Sequence, residues 1–227
     1  MALHLGGALQ RFWLVHGHWT EGRTFLERVL TTREGVGASV LAKALKGAAW
    51  LAVTQADNDR AEVLAQEGLA LSKERGDPQE ALFFLDTLCR AAMTRGNLVA
   101  ARPLAEEALA LYRELGDKDG ITRELILLAR LLSQQGEFAR ARILLEESLT
   151  LTRNLGNEHI LASALFWLAD TLLASQDDQA TVRLPLEESL ALYSKLGDKD
   201  GIGSCLHLLG QLALSQGDLA MARSRAE

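Results

Sequence analysis

Proline is almost missing from this 227-residue chain: Pro78, Pro103 and Pro185 are the three it has. Long helices are therefore permitted along nearly its whole length. Cysteine is as scarce. Cys89 and Cys205 lie far apart in separate apolar runs, and no CxxC pair exists. That excludes a disulfide framework, so both read as buried small hydrophobes and a reducing cytoplasm is the expected compartment. No apolar run approaches the ~20 residues of a membrane span. The stretch Met1–Gly7 lacks the basic region that opens a secretion signal. Positive charge is not in excess either: 24 Lys and Arg face 30 Asp and Glu, for a formal charge of −6. A phosphate backbone is held through clustered Lys and Arg, so neither nucleic acid nor membrane is expected as a direct partner.

What the chain does have is a repeat of about forty residues. The stretch Glu106–Asp117 recurs almost unchanged as Glu187–Asp198, with a third version from Glu146 to Asn157 and an earlier one from Gln66 to Asp77. Their terminal glycines, Gly76, Gly116, Gly156 and Gly197, are spaced 40, 40 and 41 residues apart. A fixed period of this size signals a solenoid, in which each unit stacks on its neighbours. The expected units are approximately 1–37, 38–76, 77–116, 117–156 and 157–197, with a truncated sixth at 198–227.

Each unit reads as two helices. Leu125, Leu128, Ala129 and Leu132 fall at i, i+3, i+4 and i+7, one face of an amphipathic helix. Gly136-Glu137 interrupts the run. Ala141, Leu144, Leu145, Ser148 and Leu151 then form a second stripe that Gly156 closes, as a left-handed C-cap. Helix A candidates are roughly 2–15, 40–55, 79–94, 119–134, 159–175 and 200–215, and helix B candidates 19–33, 58–75, 98–115, 138–155 and 179–196. Pro103 and Pro185 sit early in their B helices, which are expected to start late or kink. The turn Ser175–Gln179 replaces the usual Gly-Asp/Glu pair in the unit with one extra residue, so an irregularity is expected there.

These residues resemble the tetratricopeptide repeat. The matches are Leu88-Cys89, Gly96-Asn97 and Ala101; Leu128-Ala129, Gly136-Glu137 and Ala141; and Leu209-Gly210, Gly217-Asp218 and Ala222, with a weaker one at Ala48-Ala49, Ala56-Asp57 and Ala61. The pattern covers essentially the whole chain and looks like a long subtype of the repeat. The resemblance implies an all-α, right-handed α-solenoid of stacked antiparallel helix pairs, with A helices on the concave face and B helices on the convex face. The stretch Arg11–Arg28 is in addition similar to the entry of the repeat region in bacterial multidomain ATPase regulators, which often carry a LuxR-type DNA-binding domain. In those proteins the repeats sense an inducer or partner and restrain the ATPase. No GxxxxGK[ST] phosphate loop is present in this sequence. The chain stops within a B-helix pattern, so it is expected to be a fragment of a longer protein.

In that frame the residue after each Leu-Gly/Ala pair faces the groove: Arg11, Trp50, Arg90, Arg130, Asp170 and Gln211. Four positions earlier stand Gly7, Lys46, Asp86, Ile126, Phe166 and His207, and three further back His4, Lys43, Phe83, Arg123, Ser163 and Gly203. Lys and Arg concentrate in its N-terminal two-thirds. Arg binds carboxylates bidentately, whereas a row of charge is also what any solvated helix face displays. Trp50 and Phe166 read as interface anchors or as packing between repeats. The turn glycines Gly76, Gly96, Gly116, Gly136, Gly156, Gly197 and Gly217 are structural, and the pairs Glu106-Glu107, Glu146-Glu147 and Glu187-Glu188 read as solubility and i,i+4 pairing.

Nothing points to catalysis. His16 and His18 do not share a helix face, and no carboxylate or Cys array completes a metal site. No Ser-His-Asp or Cys-His arrangement is legible, and the carboxylate pairs repeat with the period, as a scaffold does. The expected function is therefore a cytoplasmic, non-enzymatic interaction scaffold without cofactor or metal. It binds a protein or peptide in its groove, including the ATPase or DNA-binding modules of its own polypeptide. The alternatives are homo-oligomerisation through uncapped repeat ends and a small-molecule inducer sensor lined by Trp50 or Phe166.

Overall fold

The structure, a computed structural model, describes residues 18–31 and 36–215. Among them are ten α-helices and no strand: α1 (Trp19–Leu30), α2 (Ala38–Thr54), α3 (Asn58–Glu74), α4 (Pro78–Thr94), α5 (Leu98–Leu115), α6 (Lys118–Gln134), α7 (Phe138–Leu155), α8 (Glu158–Ala174), α9 (Gln179–Leu196) and α10 (Lys199–Ser215). The expected helices from residue 40 onward appear within two residues of their observed starts. The expected helix at 2–15 lies outside the described residues, as do Arg11 and Gly217. The helix expected over 19–33 ends at Leu30.

The chain falls into two compact units, residues 1–111 and 112–227. In the first, α2 packs on α1, α3 and α4 around Leu26, Leu30, Leu45, Leu51, Leu64 and Phe84. In the second, α6 packs on α7 and α8, and α8 on α9 and α10; its C-terminal core gathers Leu172, Leu186, Tyr193, Cys205 and Leu212. Each unit is thus a stack of antiparallel helix pairs in which A helices touch A helices. The alanines of the repeat pattern sit where paired helices approach: Ala61, Ala101 and Ala141 are fully buried. Cys89 is buried and donates its thiol to the Ala101 carbonyl at 3.6 Å.

The helix ends explain the repeat's punctuation. Gly96 and Gly136 take φ of +69° and +81°, a left-handed conformation that costs glycine nothing. The next residue donates its N–H five residues back, Asn97 to Ala92 at 2.9 Å and Glu137 to Leu132 at 2.9 Å. The same bond forms in the turns that lack glycine. Ala56 and Gln176 themselves adopt φ of +57° and +61°, with Asp57 bonded to Ala52 at 2.9 Å and Asp177 to Leu172 at 3.0 Å. The expected irregularity at Ser175–Gln179 is thus not in the helix stop. It is one inserted residue, Asp178, which caps α9 by accepting from Ala180 N at 3.2 Å.

The prolines do not delay their helices. Pro103 is the sixth residue of α5 and Pro185 the seventh of α9. Each deprives the carbonyl four residues earlier of its partner. Those carbonyls belong to Val99 and Thr181, both exposed residues on the outer side of their helices' first turns.

Candidate functional site

The exposed face of the A helices carries most of the residues singled out above. In the first unit, Lys43 is exposed on α2. One turn on, the Lys46 ammonium lies over the Phe83 ring of α4, 4.7 Å from its centroid. Trp50 leans on the same ring at 6.2 Å, and its Nε1–H is buried with no acceptor. Arg90, part-buried on α4, donates Nη2 to Asp86 at 2.7 Å while its Nε–H is buried and unpartnered. Burying an N–H without an acceptor costs ~1–3 kcal/mol, and native structures contain few such groups.

The second unit repeats the chemistry with other residues. Arg130 of α6 stacks on Trp167 of α8, 4.2 Å from the ring centroid, within cation–π range. Its Nε–H is again buried without a partner. Burial pushes the Arg130 guanidinium down, with the charge of Asp170 pulling the other way. Burial likewise pushes the Asp170 carboxyl above the ordinary carboxylate range against the pull of Arg130. Phe166 meets Trp167 edge-on at 5.1 Å and packs against the core below. Arg123 is exposed and donates to the Asp119 carbonyl at 3.3 Å; Gln211 and His207 are exposed and bonded to each other at 3.0 Å.

Ile126, on the expected row, is buried and belongs to the core. Trp167 was not singled out in the sequence, because it lies one residue off the repeat position used to read the groove. Its signal was a large aromatic 37 residues beyond Arg130 on the next A helix.

The B helices hold a second set of contacts. The first glutamate of two of the three pairs bonds within its helix, Arg102 to Glu106 at 2.9 Å and Arg142 to Glu146 at 2.8 Å, and Glu187 stands 4.0 Å from Arg183. The second glutamate links neighbouring B helices: Lys73 to Glu107 at 2.5 Å and Arg113 to Glu147 at 2.8 Å. Among the described residues, no three His, Cys, Asp or Glu are placed to hold a metal ion, and no helix is long and apolar enough to cross a membrane.

Residues 81–154 match the tetratricopeptide repeat family. No curated protein matches the chain. Among solved structures, the chain is similar to the apo form of RapI, with TM-score 0.88 and 11% identity over 99% of this chain and 82% of that one. It is similar to a signal transduction ATPase with numerous domains from Pyrococcus horikoshii that has a tetratricopeptide repeat sensor (TM-score 0.80, 13% identity). That match covers 99% of this chain and 35% of that one. A third likeness is to a Rap protein complexed with competence and sporulation factor (TM-score 0.72, 12% identity, 98% of this chain and 62% of that one). Family match, helix-pair architecture and Gly-Asp punctuation agree: residues 81–154 match the tetratricopeptide repeat, and the helix pairs that flank them share its fold.

Proposed function

We propose that the chain is a non-catalytic binding module that holds a protein or peptide segment against the exposed face of its A helices. The observation that carries this reading is a set of buried donors without acceptors at one repeat position: Trp50 Nε1 and Arg90 Nε in the first unit, Arg130 Nε in the second. These are three of the positions that the repeat register assigns to the groove. In each unit, a segment rich in carbonyl or carboxylate oxygen satisfies the donors that unit holds, and the orphan N–H groups then gain what they lack in the free protein. Phe83, Trp50, Phe166 and Trp167 supply apolar surface beside the donors. Lys43, Lys46 and Arg123 add positive charge, so acidic segments are preferred. In the second unit the face also includes Asp170, His207 and Gln211, and its character there is more mixed.

The setting proposed for this module is a larger regulator, in which the repeats restrain an ATPase or DNA-binding unit until a signal binds. That is a shift between two arrangements, and it requires the ligand to prefer one of them. The support is the likeness to an ATPase with a repeat sensor, of which this chain spans 35%, and to a Rap protein bound to a signalling factor.

The test is fluorescence anisotropy of the full chain against an array of peptides graded from acidic to basic. Acidic peptides are expected to bind best, and Arg90→Glu with Arg130→Glu to weaken them about tenfold, or ~1.4 kcal/mol. Unchanged affinity and unchanged salt dependence in the double variant would remove the face from consideration.

A further inference from the structure

The seam between α7 and α9 departs from the other B-helix seams. Lys73–Glu107 in the first unit and Arg113–Glu147 in the second close at 2.5 and 2.8 Å. The next pair in the same repeat position, Arg153 and Glu188, stands at 3.8 Å, beyond hydrogen-bond reach. A cavity of about 460 Å³ opens there. Its walls are Leu149 of α7, Leu165 and Leu172 of α8, and Leu184 and Pro185 of α9. The inserted Asp178 sits at the head of α9, just before Ala180 and Thr181, which line the same cavity. Leu184 is 71% exposed and Ile143, its repeat counterpart on α7, 63%.

The shape of the lining says what fits. From α7 come Arg142, Glu146, Leu149 and Arg153, at steps of 4, 3 and 4; from α9 come Thr181, Leu184 and Glu188, at steps of 3 and 4. Those are the spacings by which one helix meets another. Two parallel B helices that each turn such a stripe toward one trough receive a third helix, ridge into groove. A strand, with its two-residue period, does not follow that pattern. The stripe from Arg142 to Arg153 runs about 16 Å at 1.5 Å per residue, three turns of a partner helix. The rim alternates sign: Arg142 bonded to Glu146, and Arg153 opposite Glu188. It therefore offers no net field to a nucleic acid or an anionic membrane, and matches a helix whose flanks carry both charges.

We propose that this trough is a second docking site, separate from the A-helix face, and that it takes an amphipathic helix of a partner protein. The partner's apolar stripe spans about three turns between acidic and basic side chains.

The test titrates the full chain with a labelled synthetic helix of about 18 residues, leucines at i, i+4, i+7 and i+11 and both Glu and Lys on the flanks. A scrambled peptide of the same composition is the control. The striped peptide is expected to bind at least about tenfold tighter than the scrambled one. Leu184→Glu is expected to remove that preference, and Val63→Glu, at the same repeat position on α3, to leave it intact. Both positions are exposed, and circular dichroism melts check that each variant folds. Equal binding of the two peptides, or indifference to Leu184→Glu, overturns the proposal. Light scattering of the free chain is expected to give a monomer; a dimer that Leu184→Glu dissociates would give the trough to a second copy and overturn it as well.

Discussion

A Cβ placed on Gly120 would stand 2.1 Å from Cδ1 of Tyr112, so the tyrosine ring occupies the space that a side chain would need. The pair sits eight residues apart across the turn from α5 to α6. It recurs as Tyr193 and Gly201, where the clearance is 2.4 Å. At the same two positions the other turns have Ser72 with Glu80, bonded at 3.2 Å, and Thr152 with Ile160. A ring therefore faces a glycine at two of these joints and a hydroxyl faces a carboxylate at a third, while Thr152 and Ile160 follow neither pattern.

Gly120→Ala is accordingly expected to destabilise the chain by about 1–3 kcal/mol through overpacking. Alanine's better helix propensity, worth up to ~1 kcal/mol, works against this and does not cancel it. Urea unfolding measures the loss. Tyr112→Ser in the same chain should recover part of it, and a double-mutant cycle with zero coupling would deny the contact.

The left-handed turns without glycine make the opposite prediction. Gln176→Gly and Ala56→Gly are expected to stabilise by roughly 1 kcal/mol, since each removes a Cβ from a strained φ. Gly136→Ala, at the same point of its repeat, is expected to destabilise by about as much. Thermal unfolding of the three variants suffices, and a loss of stability in Gln176→Gly would contradict the reading.

Acid should act on the helix caps. The Asp198 carboxyl is held below the ordinary range, first by the Gly201 backbone N–H and then by His159, 3.1 Å away. The Asp57 carboxyl is held down first by Arg23 and then by the Arg60 N–H. A carboxylate depressed on folding contributes stability above its unfolded pKa of ~3.9, and that contribution is lost as pH falls through the folded value. Asp198→Ala and Asp57→Ala should therefore lower Tm at neutral pH and flatten the acid limb. Asp170 has the reverse sign: its raised carboxyl is a burden while ionised, relieved as pH falls through the folded value. Asp170→Asn is expected to raise Tm at neutral pH and to make this contribution vanish.

Arg130 offers a test of purpose. A part-buried guanidinium that lacks an Nε–H acceptor is poorly compensated, and an apolar replacement of similar length is often neutral or stabilising. Arg130→Met is expected to change stability by no more than about 1 kcal/mol, while acidic-peptide binding drops. A loss several times larger in chemical denaturation would make Arg130 a structural residue.

The helices were legible because each one carries its own stop and start. Gly96-Asn97 and Gly116-Asp117 end one helix and cap the next, and that grammar is local. The aromatic-cation contacts were legible only in part. Arg130 and Phe166 lie on two of the repeat positions expected to face the groove, but Trp167 sits one residue beside the second and reaches Arg130 only once α6 and α8 are packed. The stretched pair at Arg153 and Glu188 was hidden for the same reason, since its residues are unremarkable and only the separation of their charged ends differs.

The joint at Asp178 has a consequence for how such a chain changes over generations. The left-handed residue and the bond that reaches five residues back are complete at Gln176 and Asp177, and the buried stripe of α9 is that of α7 moved by one: Val182, Leu186 and Ser189 for Ala141, Leu145 and Ser148. An insertion at this point is therefore silent to both helices and to the core between them. The seam beside it is the one where Arg153 and Glu188 stand at 3.8 Å. Lineages are free to edit these joints one residue at a time, acquiring a new crevice in one repeat while every other repeat keeps its geometry.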